Sequence, residues 1–409
     1  MKILYISLRI NSEDGSAVHG REFVKALTDL GHEVHTYPPL AAAGDIVKAS
    51  VPRDLSIWQK LKSLNVRKID RIIRRQSTLY RDIAMFVSGY LSSRGSAKKV
   101  KQVIDTVHPD LIIYRAVMYD YIANILRKRC NIPMIAEVNS IKRLEMEFSK
   151  RGGIPALNHR VEEDTYRPAN AITVVSEEIR KFLVDSGVRK PIAVVSNGVD
   201  SDTFVADQAA KQALKSQYGI EGSITMGYIG SYKKWHGLDD TLRVLKAALD
   251  DGIPIKLVAI GSGEQYDAIN DMLHDMALED HVVQIPAVAH HEVSHYINLI
   301  DIAVMTYPMI ENFYFSPLKM YEYLSAEIPV VASRLGQIDD VLSSADMGRL
   351  VDPGDIAGFQ EAVRQLAVDD EVRAKCGQTA REWVLNNCSW KINAQKVIDV
   401  LEDTSGKPE

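Results

Sequence analysis

The sequence predicts an α/β protein made of two doubly wound parallel-sheet domains facing a central cleft. Three observations predict it. The chain has 409 residues, more than one ordinary core accommodates and suited to two domains of roughly 200. Short apolar runs alternate with segments whose apolar residues recur at helical spacing, the pattern of a parallel sheet covered on both faces. That alternation starts afresh after residue 220, so the architecture is read twice and each half is Rossmann-like.

Lys2 to Leu8 reads as the first strand, followed by a polar loop containing Gly15. Val18, Phe23, Ala26, Leu27 and Leu30 then mark a helix, and Gly31 sits where a helix-ending glycine belongs. His32 to Tyr37 is the second strand. Residues 56–106 read as helical, with one apolar stripe at Ile69, Ile72 and Ile73 and another at Ile83, Val87, Tyr90 and Leu91. Strands follow at 111–114, 134–138, 171–175 and 192–195. In the second half they fall at 224–229, 255–260, 282–285, 302–306 and 329–332, with a helix from about 238 to 249. The expected division is a first domain over 1–200, a linker over 201–220 and a second domain over 221–388. A last helix, 389–403, is expected to pack back on the first domain.

Apolar residues make up 46% and charged residues 25%, as in soluble globular proteins. No apolar run reaches the length of about 20 that a membrane span needs, and Met1 to Ile6 reads as strand rather than signal peptide. Cys130, Cys376 and Cys388 are far apart and lack metal-ligand spacing, which suits a reducing, cytoplasmic setting. The net charge is −5, unevenly spread. Between Lys60 and Lys101 twelve basic residues face only Asp70 and Asp82, a net of +10 that leaves −15 for the remainder. Such asymmetry points to an anionic partner. Basic residues alternating with Ile and Leu suit a helix lying on an anionic membrane surface, although a solvated face is the commoner use.

In doubly wound sheets, ligands bind beyond the carboxyl ends of the strands. Four loops there are informative. In Phe315-Ser316-Pro317-Leu318-Lys319, Ser316 suits an N-cap and Pro317 the first helical position. The amides of Leu318 and Lys319 would then face an anion. Lys319 stands where a capping box would place Glu or Gln, and opposes the helix dipole at a cost of roughly 0.3–1 kcal/mol. A bound phosphate would remove that conflict. Glu322, one turn on, suits a ribose diol; alternatively, Lys319 and Glu322 simply pair. The second loop, Gly230 to Gly237, carries Ser231, Lys233, Lys234 and His236, offering close backbone approach and charge. Gly261-Ser262-Gly263 is a weaker signal. The fourth, Asp14-Gly15-Ser16-Ala17, lies just before the first helix. Arg115, Glu137 and Asn139 end strands of the first domain.

Together these residues resemble the retaining glycosyltransferases of family 4, which have the GT-B fold, over nearly the whole chain. The markers are Leu30-Gly31-His32-Glu33-Val34, Val174-Val175-Ser176-Glu177-Glu178, Ser196-Asn197-Gly198-Val199-Asp200, Gly230-Ser231 with Trp235-His236-Gly237, Ser316-Pro317-Leu318-Lys319 with Glu322-Tyr323-Leu324, and Val351-Asp352-Pro353-Gly354-Asp355. The resemblance implies transfer of a sugar from a nucleotide-diphospho-sugar to an acceptor hydroxyl with retention, in cell-surface polysaccharide, glycolipid or glycoconjugate synthesis. It implies Glu322 on the ribose, Val288 at the base, and Ser231, Lys233, His236, Ser316, Pro317, Leu318, Lys319, Gly15 and Ser16 around the donor. Glu137, Lys319 and His236 are expected to carry the transfer; Arg115 and Asn139 are expected at the acceptor. The first acid of the family's paired-glutamate motif falls on Tyr314, and its phosphate-binding arginine and lysine fall near Ser231 and His236. These departures look like a variant in which the Ser-Pro-Leu-Lys turn and the Trp-His-Gly loop take over. No metal, other cofactor or nucleic acid is expected. The partners are the donor, a sugar, lipid-linked or glycoconjugate acceptor, and through 60–101 the inner face of the cell membrane. The rivals are a GT-B epimerase and a non-catalytic nucleotide-sugar-binding subunit.

Overall fold

The computed structural model describes residues 1–12, 14–41, 78–141 and 155–405. The chain forms two compact units, one of Met1–Val195 with Ala394–Glu409 and one of Ser196–Asn393. The first contains β1 (Lys2–Ile6), α1 (Gly15–Asp29), β2 (Glu33–Tyr37), α2 (Thr78–Val107), β3 (Leu111–Arg115), α3 (Ile122–Arg127), β4 (Met134–Val138), α4 (Pro155–Tyr166), β5 (Ala171–Val174), α5 (Glu177–Asp185) and β6 (Ile192–Val194). The six strands are parallel in the order β2-β1-β3-β4-β5-β6. Strands β1, β3, β4 and β5 are rich in Ile, Leu, Val and Ala and buried along almost their whole length, as a sheet covered on both faces requires.

The second unit holds α6 (Gln208–Gln217), β7 (Ile224–Ile229), α7 (Leu238–Asp250), β8 (Ile255–Ile260), α8 (Tyr266–Asp275), β9 (Val282–Ile285), α9 (His290–Tyr296), β10 (Ile302–Met305), α10 (Leu318–Ser325), β11 (Val330–Ser333), α11 (Gly336–Leu342), β12 (Gly348–Val351), α12 (Ile356–Val368) and α13 (Asp370–Asn387). Its sheet order is β12-β11-β10-β7-β8-β9. Alternate side chains of one strand feed two cores: Leu257 and Ala259 join one apolar cluster with α7 and α12, Val258 and Ile260 another with α10 and α13. That is the period-2 alternation of a strand buried on both faces. The last helix, α14 (Trp390–Ser405), starts in the second unit, and its residues from Ala394 group with the first.

Three elements differ from expectation, and one expected helix is described only in part. The helix expected over 56–106 is described from Thr78 on; residues 56–77, with Ile69, Ile72 and Ile73, lie outside the described residues. The stretch 201–220 is not bare linker. It carries α6, whose Lys211 and Lys215 both reach the buried Asp301 at the head of β10. Burial alone would raise the Asp301 pKa, but the two ammonium groups hold it at about 2. Edge strand β12 has only Leu350 and Val351 as apolar residues and lacked a periodic signal. It pairs on one side with β11. Finally, α10 begins at Leu318 with Pro317 as its N-cap, one residue later than expected.

Candidate functional site

In the second sheet the chain leaves β7 toward β8 on one side, while β10 lies on the other. The carboxyl ends of β7 and β10 therefore flank the point where strand order reverses, which is where such sheets bind ligands. The loop 230–237 follows β7, and residues 306–317 follow β10 and lead into α10. The two loops are locked together. Gly237 has φ +69°, and a Cβ there would lie 1.6 Å from the Thr306 carbonyl oxygen, so only glycine fits. The Thr306 hydroxyl donates to the Gly237 carbonyl at 2.6 Å and meets the Thr241 hydroxyl at 2.7 Å.

The turn before α10 is held by Asn197. Its backbone N–H donates to Ser316 Oγ at 3.0 Å, and its side-chain amide donates to the Ser316 carbonyl. This corrects the expected role of Ser316: its hydroxyl oxygen is committed to Asn197, so Pro317 takes the cap position without a side-chain hydrogen bond. Among the described residues, the Leu318 and Lys319 amides at the start of this eight-residue helix donate to no protein oxygen. They are the orphan donors of a helix N-terminus.

Lys319 folds back over this end. Its Nζ lies 4.6 Å from the centroid of the Tyr228 ring and 5.4 Å from that of Tyr307. A Cβ placed on Gly230 would lie 3.5 Å from it. Nζ is buried and, among the described residues, has no hydrogen-bond partner. The simple pairing with Glu322 is therefore excluded. Burial pulls the Lys319 pKa down to about 8, and Glu322 only partly restores it. A buried, unpaired ammonium at a helix N-terminus is uphill unless an anion joins it.

His236 closes a 3₁₀ turn, Lys234–His236. Its Nδ1 is 2.7 Å from the Ser231 carbonyl oxygen, which also accepts from the Tyr228 hydroxyl at 2.9 Å. A carbonyl only accepts, so Nδ1 carries the hydrogen and the neutral ring keeps a lone pair on Nε2. Burial, then Lys319 and Lys233, pull its pKa down to about 4 against the Ser231 hydrogen bond. This corrects the expectation that His236 supplies charge. Lys233 Nζ sits 4.8 Å over the exposed Trp235 ring.

Glu322 is buried on α10. His290 Nε2 lies 2.7 Å from its Oε1. His290 opens α9, immediately after the loop carrying Val288, which packs partly buried against the core. Tyr314, in place of the family's first acid, is fully buried with its ring 4.4 Å from that of Phe315.

In the first unit, Glu137 near the end of β4 is a hub. Tyr5 donates to Oε2 at 2.9 Å and Asn139 to Oε1 at 2.7 Å. His19 Nε2 lies 2.9 Å and Arg115 3.6 Å from Oε1. Burial would raise the Glu137 pKa, but His19 and then Arg115 outweigh it and hold it at about 2. The same Arg115 donates to the Ser16 carbonyl at 2.7 Å, in the first turn of α1, which Asp14 caps and which begins at Gly15, two residues earlier than expected. Among the described residues, the buried Asn139 Oδ1 has no hydrogen-bond partner. Arg115, Glu137 and Asn139 are thus brought together in one unit, and Ser231, His236, Pro317, Leu318, Lys319 and Glu322 lie on the loops and first turns at one end of the other sheet.

Sequence reasoning missed His19, Tyr228, Tyr307 and His290. Tyr307 had one signal, an aromatic just beyond a strand end; His290 had none, because its partner is 32 residues away. Among the described residues, no three His, Cys, Asp or Glu side chains group to hold a metal, and no helix is long and apolar enough to cross a membrane.

The chain matches the family model described as Glycosyltransferase Family 4 over residues 14–203 and that of Glycosyl transferases group 1 over 210–383. It is 25% identical over 239 residues to a GDP-mannose-dependent alpha-(1-6)-phosphatidylinositol monomannoside mannosyltransferase of Mycobacterium tuberculosis, covering 57% of this chain and 61% of that one. The chain thus spans about three fifths of that relative's length. It is 22% identical over 395 residues to the N-acetyl-alpha-D-glucosaminyl L-malate synthase of Bacillus anthracis, covering 96% and 93% of the two chains. The structure is similar to sucrose-phosphate synthase from Thermosynechococcus elongatus, with a TM-score of 0.73 and 16% identity over 98% of both chains, a likeness of fold.

Proposed function

Since the chain belongs to the family-4 glycosyltransferases and has the GT-B fold, we propose that it moves a sugar from a nucleotide-diphospho-sugar to an acceptor hydroxyl with retention of anomeric configuration. One observation carries the donor assignment: at the switch point of the second sheet, the buried Lys319 ammonium has no hydrogen-bond partner and two helix amides beside it donate to no protein oxygen, among the described residues. In the transfer, the bond from the anomeric carbon to the diphosphate oxygen breaks and that carbon bonds to the acceptor oxygen. The acceptor proton leaves with the diphosphate or to water. Charge growing on the diphosphate is met by Lys319 and the Leu318 and Lys319 amides, already oriented before reaction. Glu322 receives the ribose hydroxyls, and the Val288 loop lies against the base. A dianion beside His236 raises its pKa from about 4, so that Nε2 becomes a second donor as the pH falls below neutral.

Glu137 serves in this account as a positioning residue. A carboxylate held near pKa 2 is a poor base at neutral pH; it orients His19 and Arg115 instead. The acceptor is proposed to be lipid-linked or a glycoconjugate, in cell-surface polysaccharide or glycolipid synthesis, in keeping with the similarity to a phosphatidylinositol monomannoside mannosyltransferase. The protein would work at the inner face of the cell membrane, with α2 on anionic lipid. Tyr314 favours a second reading, binding of the nucleotide-sugar without transfer, because a buried ring replaces the family's first acid.

The test is a thermal-shift panel of UDP, GDP and ADP sugars, followed by donor hydrolysis and transfer assays. One donor family should raise the melting temperature by mass action and be consumed. Binding without hydrolysis or transfer to any acceptor selects the second reading; no shift with any nucleotide-sugar rejects both.

A further inference from the structure

We infer that His290 is a positioning residue for nucleotide recognition, holding the Glu322 carboxylate fixed for the ribose hydroxyls. The inference rests on the donor-site reading above. Glu322 is buried, and its Oε1 lies 2.7 Å from His290 Nε2. Among the described residues it has no other hydrogen-bond partner, and Lys319 does not reach it. A buried carboxylate with no donor is not held in one orientation. The Nε2–H of even a neutral imidazole holds it. A carboxylate has about four lone-pair sites, so one taken by His290 leaves sites on both oxygens for a cis-diol.

The origin of His290 matters as much as its distance. It is the first residue of α9, and the helix start is fixed by Glu292, which accepts from the Ala289 amide at 2.9 Å. The Phe204 ring lies 5.7 Å from the imidazole. The loop bearing Val288 therefore ends in a side chain that grips the ribose carboxylate, so displacing the loop loosens the carboxylate.

The test compares wild-type protein with His290→Ala and His290→Gln in binding UDP and GDP, each against its 2′,3′-dideoxy form. Wild type should prefer one ribose form by about ten-fold, the order of a hydrogen bond to a charged group. In His290→Ala that preference should collapse toward one, while affinity for the dideoxy form changes less than about three-fold. His290→Gln, whose amide can donate, should restore part of the preference. If His290→Ala keeps the preference, or weakens both forms equally, His290 is only a helix residue and the inference fails. If wild-type protein binds neither nucleotide, or binds without preferring the ribose form, the ribose assignment itself fails.

Discussion

Lys319 is a lysine whose charged state the fold disfavours. Its pKa of about 8 against an ordinary 10.5 corresponds to roughly 3 kcal/mol against the ammonium. The sign follows from linkage. Between about pH 8 and 10.5 the unfolded chain keeps a proton that the folded one has shed, so folding stability contributed here rises with pH across that window. Replacing the charge with a similar volume should therefore help the empty protein and harm the loaded one. Lys319→Met is expected to melt a few degrees higher at pH 7, at roughly 2–4 °C per kcal/mol, and to bind the donor nucleotide at least about ten-fold more weakly, about 1.4 kcal/mol. A lower melting point with unchanged affinity, read by calorimetry, would show that the lysine is merely structural. The oddity of Lys319 was legible because it broke a local rule, a cation in the first turn of a helix. Its cage of Tyr228 and Tyr307 was not, since it joins residues 79 positions apart. His290 and His19 escaped for the same reason: their partners are set by tertiary packing.

Most elements were legible because buried parallel strands are dense in Ile, Val and Leu and their helices keep a 3.6-residue period. Edge strand β12 escaped because one-sided pairing demands fewer apolar residues. The start of α10 was misjudged by one residue because Ser316 had two competing uses, capping its own helix or accepting from Asn197, and only the fold decides between them. Helix α2 is the element whose partner is most open to test. Phe86, Val87, Tyr90 and Leu91 are exposed large apolar residues, followed by exposed Arg94, Lys98 and Lys99. Spacing of three and four places Val87, Leu91, Arg94 and Lys98 on one face. An apolar strip continued by cations suits an interface with anionic lipid, at about 1 kcal/mol per basic residue near the surface. Vesicles with anionic phospholipid are expected to sediment the protein at low salt and release it at high salt. Leu91→Glu with Lys98→Glu should abolish that. Equal sedimentation with neutral vesicles, or none with anionic ones, would remove the membrane from the account.

At the scale of the molecule the same plan appears twice, six parallel strands with helices on both faces and order reversing beside the first strand of each unit. That repetition was readable from the restart of the pattern after residue 220, and so was the end of each sheet on which chemistry should lie. The state of the site was not readable, because charge state depends on burial: His236 is neutral at pH 7 and Glu137 is spent on its neighbours. Donor binding turns on one proton: the diphosphate binds the protonated form of Lys319, which without it is half-deprotonated near pH 8. Titration calorimetry of the selected nucleoside diphosphate at pH 7 and pH 9 measures it. Wild-type affinity should fall about ten-fold between them, with proton uptake on binding at pH 9, while Lys319→Met stays weak and flat across that range. Equal wild-type affinity at the two pH values, with no proton taken up, would contradict it.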